Sequence, residues 1–359
     1  GASADTSHYF KANGPADGSD DAVASGAHAT AAGPLATASG DYSAANGYAS
    51  TASGEGASAF GSNAYASGDG STAVGQDSTA SGMNATAVGY GSAALGDHSL
   101  AFGDSATAIG SNDIALGNGA ATGGSYGNNI AIGAGAYAGS YYGGNIAMGQ
   151  NARATGKYAT AIGRNSVASD KYATALGNGA TASNSRATAV GGLAVASGQV
   201  STAVGKYAAA SGDFASAFGA GATATGSSSS ALGNYLVASG GYSTAVGNAA
   251  YSSGFSSLAV GSYAAASGDY ASALGNQAVA AGYASTALGS HATASGDSSI
   301  AVGNTSVASG EYSTAVGPFA AATGYSSVAL GDTANALSDN SVAIGKNAYV
   351  APTGQVGNY

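Results

Sequence analysis

The sequence predicts an all-β solenoid of stacked parallel strands, and three observations lead to this fold class. Glycine makes up 61 of the 359 residues, only 7% of the residues are charged, and cysteine is absent. Glycine stands at every seventh position from Gly26 to Gly124 and, after two slips of two residues, at nearly every seventh position from Gly149 to Gly345. Short alternating runs lie between the glycines, and such runs are typical of strands rather than helices. A fixed repeat of this kind indicates a solenoid.

The full repeat is fourteen residues long, because two kinds of heptad alternate. In the first kind, which we call strand A, a large apolar residue precedes the glycine; in the second, strand B, that residue is nearly always Ser or Thr. Strand A glycines run from Gly33 to Gly345 and predict about 22 coils, which at about 4.8 Å per strand would form a stack about 100 Å long. We expect the glycines to be turn residues with positive φ. Asp170 and Asn184 replace two of them and are types that adopt this conformation at low cost.

Side-chain parity predicts which face of each strand is buried. Alanine stands two residues before the glycine in both strand types, with Ser252 as an exception, so the two sheets would face each other across a thin interior. The opposite face of strand B carries residues that water accepts, such as Arg153, Thr181 and Thr223. The opposite face of strand A carries a continuous row of large apolar side chains, which we call the apolar ladder: Met148, Ile162, Leu176, Val190, Val204, Phe218, Leu232, Val246, Val260, Leu274, Leu288, Val302, Val316, Leu330 and Ile344.

The apolar ladder predicts a symmetric oligomer. A row of this length is not expected to stay exposed, and the remaining residues of the chain offer nothing to cover it. Copies of the chain arranged around a shared axis would bury it without leaving a free edge. The periodicity by itself is compatible with two copies or with three.

Several repeats resemble those of a known family. Asn129-Ile-Ala-Ile-Gly133, Asn145-Ile-Ala-Met-Gly149 and Ser341-Val-Ala-Ile-Gly345 are similar to the head repeats of trimeric autotransporter adhesins of the YadA-like type. The resemblance covers residues 26–345. Residues 1–25 would form a cap, and their segment His8-Tyr-Phe-Lys-Ala-Asn-Gly14 is similar to segments that begin such heads.

This resemblance implies a left-handed parallel β-roll with three chains around one axis. It also implies display at the outer membrane of a Gram-negative bacterium, as a homotrimer that attaches to host extracellular-matrix proteins or cell-surface glycans. We expect residues 346–359 to be the C-terminal end of the head. The sequence shows no neck motif, coiled-coil stalk or anchor after Tyr359, so a membrane attachment is expected only through a part of a longer protein.

Two features indicate a candidate ligand surface. Between positions 153 and 206 the sequence has six basic residues and a single acid, Asp170; the six are Arg153, Lys157, Arg164, Lys171, Arg186 and Lys206. Such a positive band beside tyrosines would suit sulfated glycans or acidic segments of a matrix protein, although turns also carry charge merely to be solvated. The two-residue insertions around Tyr126 and around Tyr141 and Tyr142 enlarge one corner of consecutive coils, either as binding loops or as variation in a tolerant turn.

The sequence predicts no catalytic residue, cofactor or metal site. Its histidines are scattered along the chain, and the acids around Asp17, Asp20 and Asp21 lack the length and closing Glu of an EF-hand loop. The net charge of −10 argues against nucleic acid as a partner. A non-catalytic adhesin head is therefore the leading hypothesis. A spacer rod is an alternative, and an ice-binding solenoid is less favoured because strand B mixes Thr with Val and Ala.

Overall fold

The computed structural model describes residues 18–124 and 126–351. Contacts between residues divide the chain into two compact units, the first ending at Tyr172 and the second beginning at Ala173. In both described ranges the regular elements are short parallel strands, and no helix occurs there. This confirms the predicted all-β parallel solenoid.

The first unit alternates A and B strands, each of two or three residues. Its A strands are Thr30–Ala32, Ala44–Asn46, Ser58–Phe60, Thr72–Val74, Thr86–Val88, Leu100–Phe102, Ile114–Leu116, Ile130–Ile132, Ile146–Met148 and Thr160–Ile162. Its B strands are Val23–Ala24, Thr37–Ala38, Thr51–Ala52, Tyr65–Ala66, Thr79–Ala80, Ala93–Ala94, Thr107–Ala108, Ala121–Gly123, Tyr137–Gly139, Arg153–Ala154 and Val167–Ala168.

The second unit repeats this alternation, and two of its A strands extend to five residues. Its A strands are Thr174–Leu176, Thr188–Val190, Thr202–Val204, Ser216–Phe218, Ser230–Asn234, Thr244–Asn248, Leu258–Val260, Ser272–Leu274, Thr286–Leu288, Ile300–Val302, Thr314–Val316, Val328–Leu330 and Val342–Ile344. Its B strands are Thr181–Ala182, Val195–Ala196, Ala209–Ala210, Thr223–Ala224, Val237–Ala238, Tyr251–Ser252, Ala265–Ala266, Val279–Ala280, Thr293–Ala294, Val307–Ala308, Ala321–Ala322, Asn335–Ala336 and Tyr349–Val350.

Within each unit, strands pair in parallel with the strand of their own type one coil further along the chain. Thr72 pairs with Thr86, for example, so the register advances by one fourteen-residue repeat. At the two insertions the register advances by two residues more, because Ile114 pairs with Ile130 and Ile130 with Ile146. A and B strands therefore form separate sheets within each unit, and the connections between them are two kinds of turn, A-to-B and B-to-A.

The interior of each unit is lined by small side chains, as the side-chain parity predicts. Ala73 of an A strand and Ala66 of a B strand are fully buried, and their counterparts repeat along the chain. A second buried position was not predicted: the residue directly before most of the strands, which is usually Ser or Ala. Ser71 and Ala64 are examples, and both are fully buried. Two small inward side chains per strand allow the sheets to approach closely.

The predicted backbone conformation of the repeat glycines is right for one type of turn and wrong for the other. Glycines that follow A strands have positive φ, as at Gly61 with 135°. Glycines that follow B strands do not, apart from Gly124 with 113° at the first insertion. Asp170 and Asn184 do not either, so the interpretation of these two residues as left-handed turn residues was wrong. At Gly54, which follows a B strand, glycine is needed for space, because a Cβ there would collide with the carbonyl oxygen of Gly68 in the next coil.

Candidate functional site

The apolar ladder points away from the interior in both units. All fifteen of its residues lie at the outward position of an A strand and are exposed or half-buried; Leu232 keeps 49% of its surface exposed and Ile344 keeps 66%. Neighbouring ladder residues face each other across the sheet, because Val190 pairs with Val204 and Val204 with Phe218. The ladder is therefore a continuous apolar strip along each A sheet, with no cover from the described residues.

The two insertions lie in successive B-to-A turns of the first unit. One connects the B strand Ala121–Gly123 to the A strand Ile130–Ile132, and the other connects Tyr137–Gly139 to Ile146–Met148. Lys157 and Lys171 stand in the next two turns of the same kind. Two features that are separate in the sequence, the insertions and part of the basic band, thus meet on one edge of the first unit.

Three exposed tyrosines form a wall at this edge. The rings of Tyr126 and Tyr141 are 5.5 Å apart at an angle of 82°, and those of Tyr141 and Tyr142 are 5.3 Å apart at 89°. More than half of the surface of each of these residues is exposed. The Lys157 ammonium lies 3.8 Å from the centre of the Tyr142 ring, within the range of a cation–π contact. This contact fixes the lysine beside the tyrosine wall.

A cleft of about 490 Å³ opens between the second insertion and the following two turns, and we call it the turn cleft. Besides aromatic rings and two ammonium groups, it offers hydroxyls and one carboxylate. Its lining residues are Ser140, Tyr141, Tyr142, Thr155, Gly156, Lys157, Ser169, Asp170 and Lys171. The turn cleft therefore combines positive charge, exposed ring faces and hydrogen-bonding groups in one concave surface.

The other predicted basic residues do not line the turn cleft. Arg153 lies on the outer face of a B strand, with its guanidinium 5.3 Å from the centre of the Tyr137 ring. Arg164 and Lys206 stand in A-to-B turns, whereas Arg186 stands in a B-to-A turn of the second unit. The structure thus assigns the six basic residues to different surfaces, and only Lys157 and Lys171 share a concave one.

A buried polar ladder supports the inserted turns. In ordinary coils the residue before the A strand donates its N–H to the repeat glycine, as Ser99 does to the Gly96 carbonyl at 3.2 Å. At the insertions side chains replace that acceptor: Asn129 N–H donates to Asp113 Oδ1 at 2.7 Å, and Asn145 N–H to Asn129 Oδ1 at 3.0 Å.

The side chains of this buried polar ladder also form hydrogen bonds with chain segments next to the insertions. Asn129 Nδ2 donates to the Gly123 carbonyl at 3.2 Å, and Asn145 Nδ2 to the hydroxyl of Ser140 at 2.8 Å. Ser140 lines the turn cleft, so the buried polar ladder holds one residue of the cleft in place. These buried residues were not predicted from the sequence. Their signal was the replacement of Ser or Ala by a larger polar residue directly before three successive A strands.

Aromatic rings also contact each other edge to face along turns away from the cleft. In the second unit Tyr242, Phe255, Tyr270 and Tyr283 form a row with neighbouring ring centres 5.5 to 5.7 Å apart. In the same unit the negative charge of Glu311 raises the pKa of Tyr312, because it disfavours a second negative charge beside it. Such contacts between rings of successive turns stabilise the packing of neighbouring coils.

The described residues contain no group of three or more His, Cys, Asp or Glu side chains placed to hold a metal ion. Asp17, the segment from His8 to Gly14 and residues 352–359 lie outside the described ranges, and so does Ser125 in the first insertion. Within residues 18–124 and 126–351, no helix has the length and hydropathy needed to cross a membrane.

Comparison with solved structures finds the crystal structure of the collagen-binding domain of the Yersinia adhesin YadA. It is 32% identical to this chain, the match covers 38% of this chain and 74% of the domain, and the TM-score is 0.29. A search of curated protein sequences found no match.

Comparison with family models finds the YadA head domain repeat, whose model spans two repeat copies. It matches residues 24–50, 38–64, 66–92, 94–120, 146–166, 154–180, 182–208, 210–235, 238–264, 266–292, 294–320 and 322–348. These matches cover well over half of the chain and leave out the two inserted coils. The chain therefore belongs to the family of the YadA head domain repeat.

Proposed function

We propose that this chain is the head of a trimeric, non-catalytic adhesin on the outer surface of a Gram-negative bacterium, where it attaches the cell to host extracellular matrix. The observation that carries the proposal is the apolar ladder on the A sheet. A single chain leaves this strip exposed or half-buried from Met148 in the first unit to Ile344 in the second, and Phe60 and Val74 are exposed at the same outward position earlier in the first unit. Strips of this size mark an interface.

Three copies around one axis would bury the ladder, each A sheet facing the other two. Because every coil contributes a ladder residue in register, the buried contact would grow with each added coil. The family to which the chain belongs supports a left-handed roll and three chains rather than two. In this arrangement the B faces and both kinds of turn stay on the outside and are free to meet a ligand.

Attachment through such a head would be multivalent. Each coil presents a similar outer surface, and three copies present every surface three times, so weak docking at one position gains avidity from the others. The turn cleft adds a concave surface to this repeated exterior. An adhesin of this kind needs no catalytic group, and its ligand contacts are expected at the B faces and turns.

The first test is the mass of the protein in solution by light scattering. We expect about three times the 33.3 kDa of one chain. Val204→Lys should dissociate the trimer or melt it locally, because it places three charges together near the axis. Thr181→Lys is the matched control on the outer face of a B strand and should leave the mass unchanged. A single-chain mass for the unmodified protein, or loss of assembly in the control only, would contradict the assignment of the faces.

The second test is retention of the protein on immobilised collagen, fibronectin and laminin. Collagen is included because the similar domain of the Yersinia adhesin is described as collagen-binding. Retention on at least one matrix protein is expected. A three-chain mass without any retention would favour the alternative, a spacer rod that holds another domain away from the cell.

A further inference from the structure

We propose that the turn cleft binds a segment of a sulfated polysaccharide. This inference deepens the proposed adhesin function and rests on it for its biological setting, since it names the ligand class for one surface of the head. It depends on the two lysines, the tyrosine wall and the hydroxyls that the insertions bring together in the first unit.

The first step is the charge of the cleft. Lys157 and Lys171 occupy equivalent positions in successive turns, and the coils that carry them stack through the paired strands at Arg153 and Val167. Equivalent positions in paired strands lie about 4.8 Å apart. The two turns therefore present Lys157 and Lys171 one after the other in the stacking direction, which suits a linear chain that carries repeated anionic groups.

The two lysines are available to such a ligand. The ion pair between Lys346 and Asp332 lies in the second unit, and within the described ranges neither cleft lysine forms an ion pair with a carboxylate. Their nearest ring partners are Tyr142 for Lys157 and Tyr172 for Lys171, the latter with 5.2 Å between the ammonium and the ring centre.

The cleft also contains one acid, Asp170, and its position is compatible with an anionic ligand. Its Oδ1 accepts the backbone N–H of Lys171 at 2.6 Å, which directs that oxygen toward its own turn. With two lysines and one aspartate the cleft keeps a net positive charge, although the whole chain has a net charge of −10. A local positive surface on an acidic molecule focuses anions at that point.

The second step is the choice of a polysaccharide over an acidic peptide. A sugar ring has an apolar face of C–H groups that packs on aromatic rings, and Tyr141 and Tyr142 line the cleft with more than half of their surface exposed. Sugar hydroxyls need partners that both donate and accept hydrogen bonds. Ser140, Thr155 and Ser169 provide such hydroxyls in the lining. Sulfate groups on the same polymer would pair with the lysines.

The experiment measures binding of the full chain to heparin, a sulfated polysaccharide, by calorimetry and by salt elution from a heparin column. The test variant is K157Q/K171Q, which removes both cleft lysines. The matched control is R164Q/K206Q, which removes the same amount of charge from A-to-B turns outside the cleft; Lys206 also precedes a tyrosine, with its ammonium 5.0 Å from the centre of the Tyr207 ring.

We expect the test variant to bind heparin at least about tenfold more weakly, since it loses two charge-assisted contacts, and the control to stay within about threefold of the unmodified protein. Y142A should weaken binding as well, while its mass in solution stays unchanged. De-sulfated heparin should not displace heparin from the protein. Equal losses in the test variant and the control would overturn the proposal, because binding would then follow total charge.

Three further outcomes identify which proposal fails. Displacement of heparin by poly-glutamate at equal charge concentration would overturn the polysaccharide assignment in favour of an acidic peptide. Absence of heparin binding together with retention on a matrix protein would overturn this inference and leave the adhesin proposal intact. Heparin binding that depends on the cleft lysines, but is measured on a protein with the mass of a single chain, would contradict the trimeric head. The assignment of the turn cleft as a glycan site would then stand.

Discussion

Gly54 and Gly56 stand two residues apart in one B-to-A turn and are under different constraints. Gly54 has no positive φ, yet a Cβ there would meet the backbone of the next coil; Gly56 has a φ of 65° and open space around its Cβ position. In neighbouring turns of the same kind the position of Gly56 is taken by Tyr42 and Asn84, with φ of 56° and 54°. Close stacking of the coils therefore requires glycine at position 54. Position 56 requires only a residue that can adopt positive φ.

This difference predicts a large loss of stability for one substitution and a small change for the other. Gly54→Ala should destabilise the protein by about 3 kcal/mol, because backbone must move to admit the methyl group. Gly56→Asn should change stability by less than about 1 kcal/mol, because Asn enters the left-handed region at low cost and restricts the unfolded chain. Denaturant unfolding, with amide hydrogen exchange across the two coils concerned, measures both. A larger loss at Gly56 would contradict the stacking explanation.

The inserted turns are a second case in which single residues decide local structure. Asn129→Ala should destabilise the inserted coils by about 3 kcal/mol, because the Asn145 N–H loses its acceptor and the Gly123 carbonyl its donor. Amide exchange at Asn145 should become faster. Heparin binding should weaken as well, because Asn145, which loses its own backbone acceptor, holds Ser140 through its Nδ2. Exchange by mass spectrometry measures the first effect and calorimetry the second.

Ser99→Ala is the matched control for this prediction. Ser99 occupies the same repeat position before an A strand and is buried, but its hydroxyl has no hydrogen-bond partner. Its removal should be neutral or slightly stabilising. Equal losses at Asn129 and Ser99 would show that the position is sensitive to packing and that the polar ladder is not what stabilises the insertions.

At the scale of strands and turns, the repeat explains why so much of the fold could be predicted. Alanine parity identified the buried face, and the apolar residue before each strand A glycine identified the outward ladder, because strand side chains alternate strictly. The conformation of the glycines could not be predicted from spacing, since a demand for positive φ and a demand for close approach both select glycine. Asp170 and Asn184 were misinterpreted for this reason.

The candidate site was predicted only in pieces. The sequence shows that Lys157 and Lys171 begin the same turn in successive coils, and the inserted tyrosines were also singled out. The two lysines were nevertheless counted in one basic band with Arg164 and Lys206, which lie in the other kind of turn. Proximity along the sequence is a poor guide here, because residues seven apart lie in opposite turns of a coil and residues fourteen apart lie in the same one. Sorting the basic residues by the parity of their heptad separates Lys157 and Lys171 from Arg164 and Lys206 on the sequence alone.

At the scale of the whole molecule, assembly and attachment are expected to depend on different forces. The apolar ladder contributes no charge to the proposed trimer axis, whereas the turn cleft relies on two ammonium groups at the surface. Burial of apolar surface is insensitive to simple salt or slightly strengthened by it, and surface charge contacts are screened. The two proposals can therefore be separated by changing only the ionic strength.

Raising sodium chloride from about 0.1 M to about 1 M shortens the screening length from about 10 Å to about 3 Å. We expect the mass by light scattering to stay at three chains over this range while heparin retention is lost, because only the second interaction depends on exposed charge. Both quantities can be measured on one sample at each salt concentration. Dissociation at high salt would mean that charge rather than the apolar ladder holds the chains together, and heparin binding that survives 1 M salt would mean that the lysines of the turn cleft are not what holds the glycan.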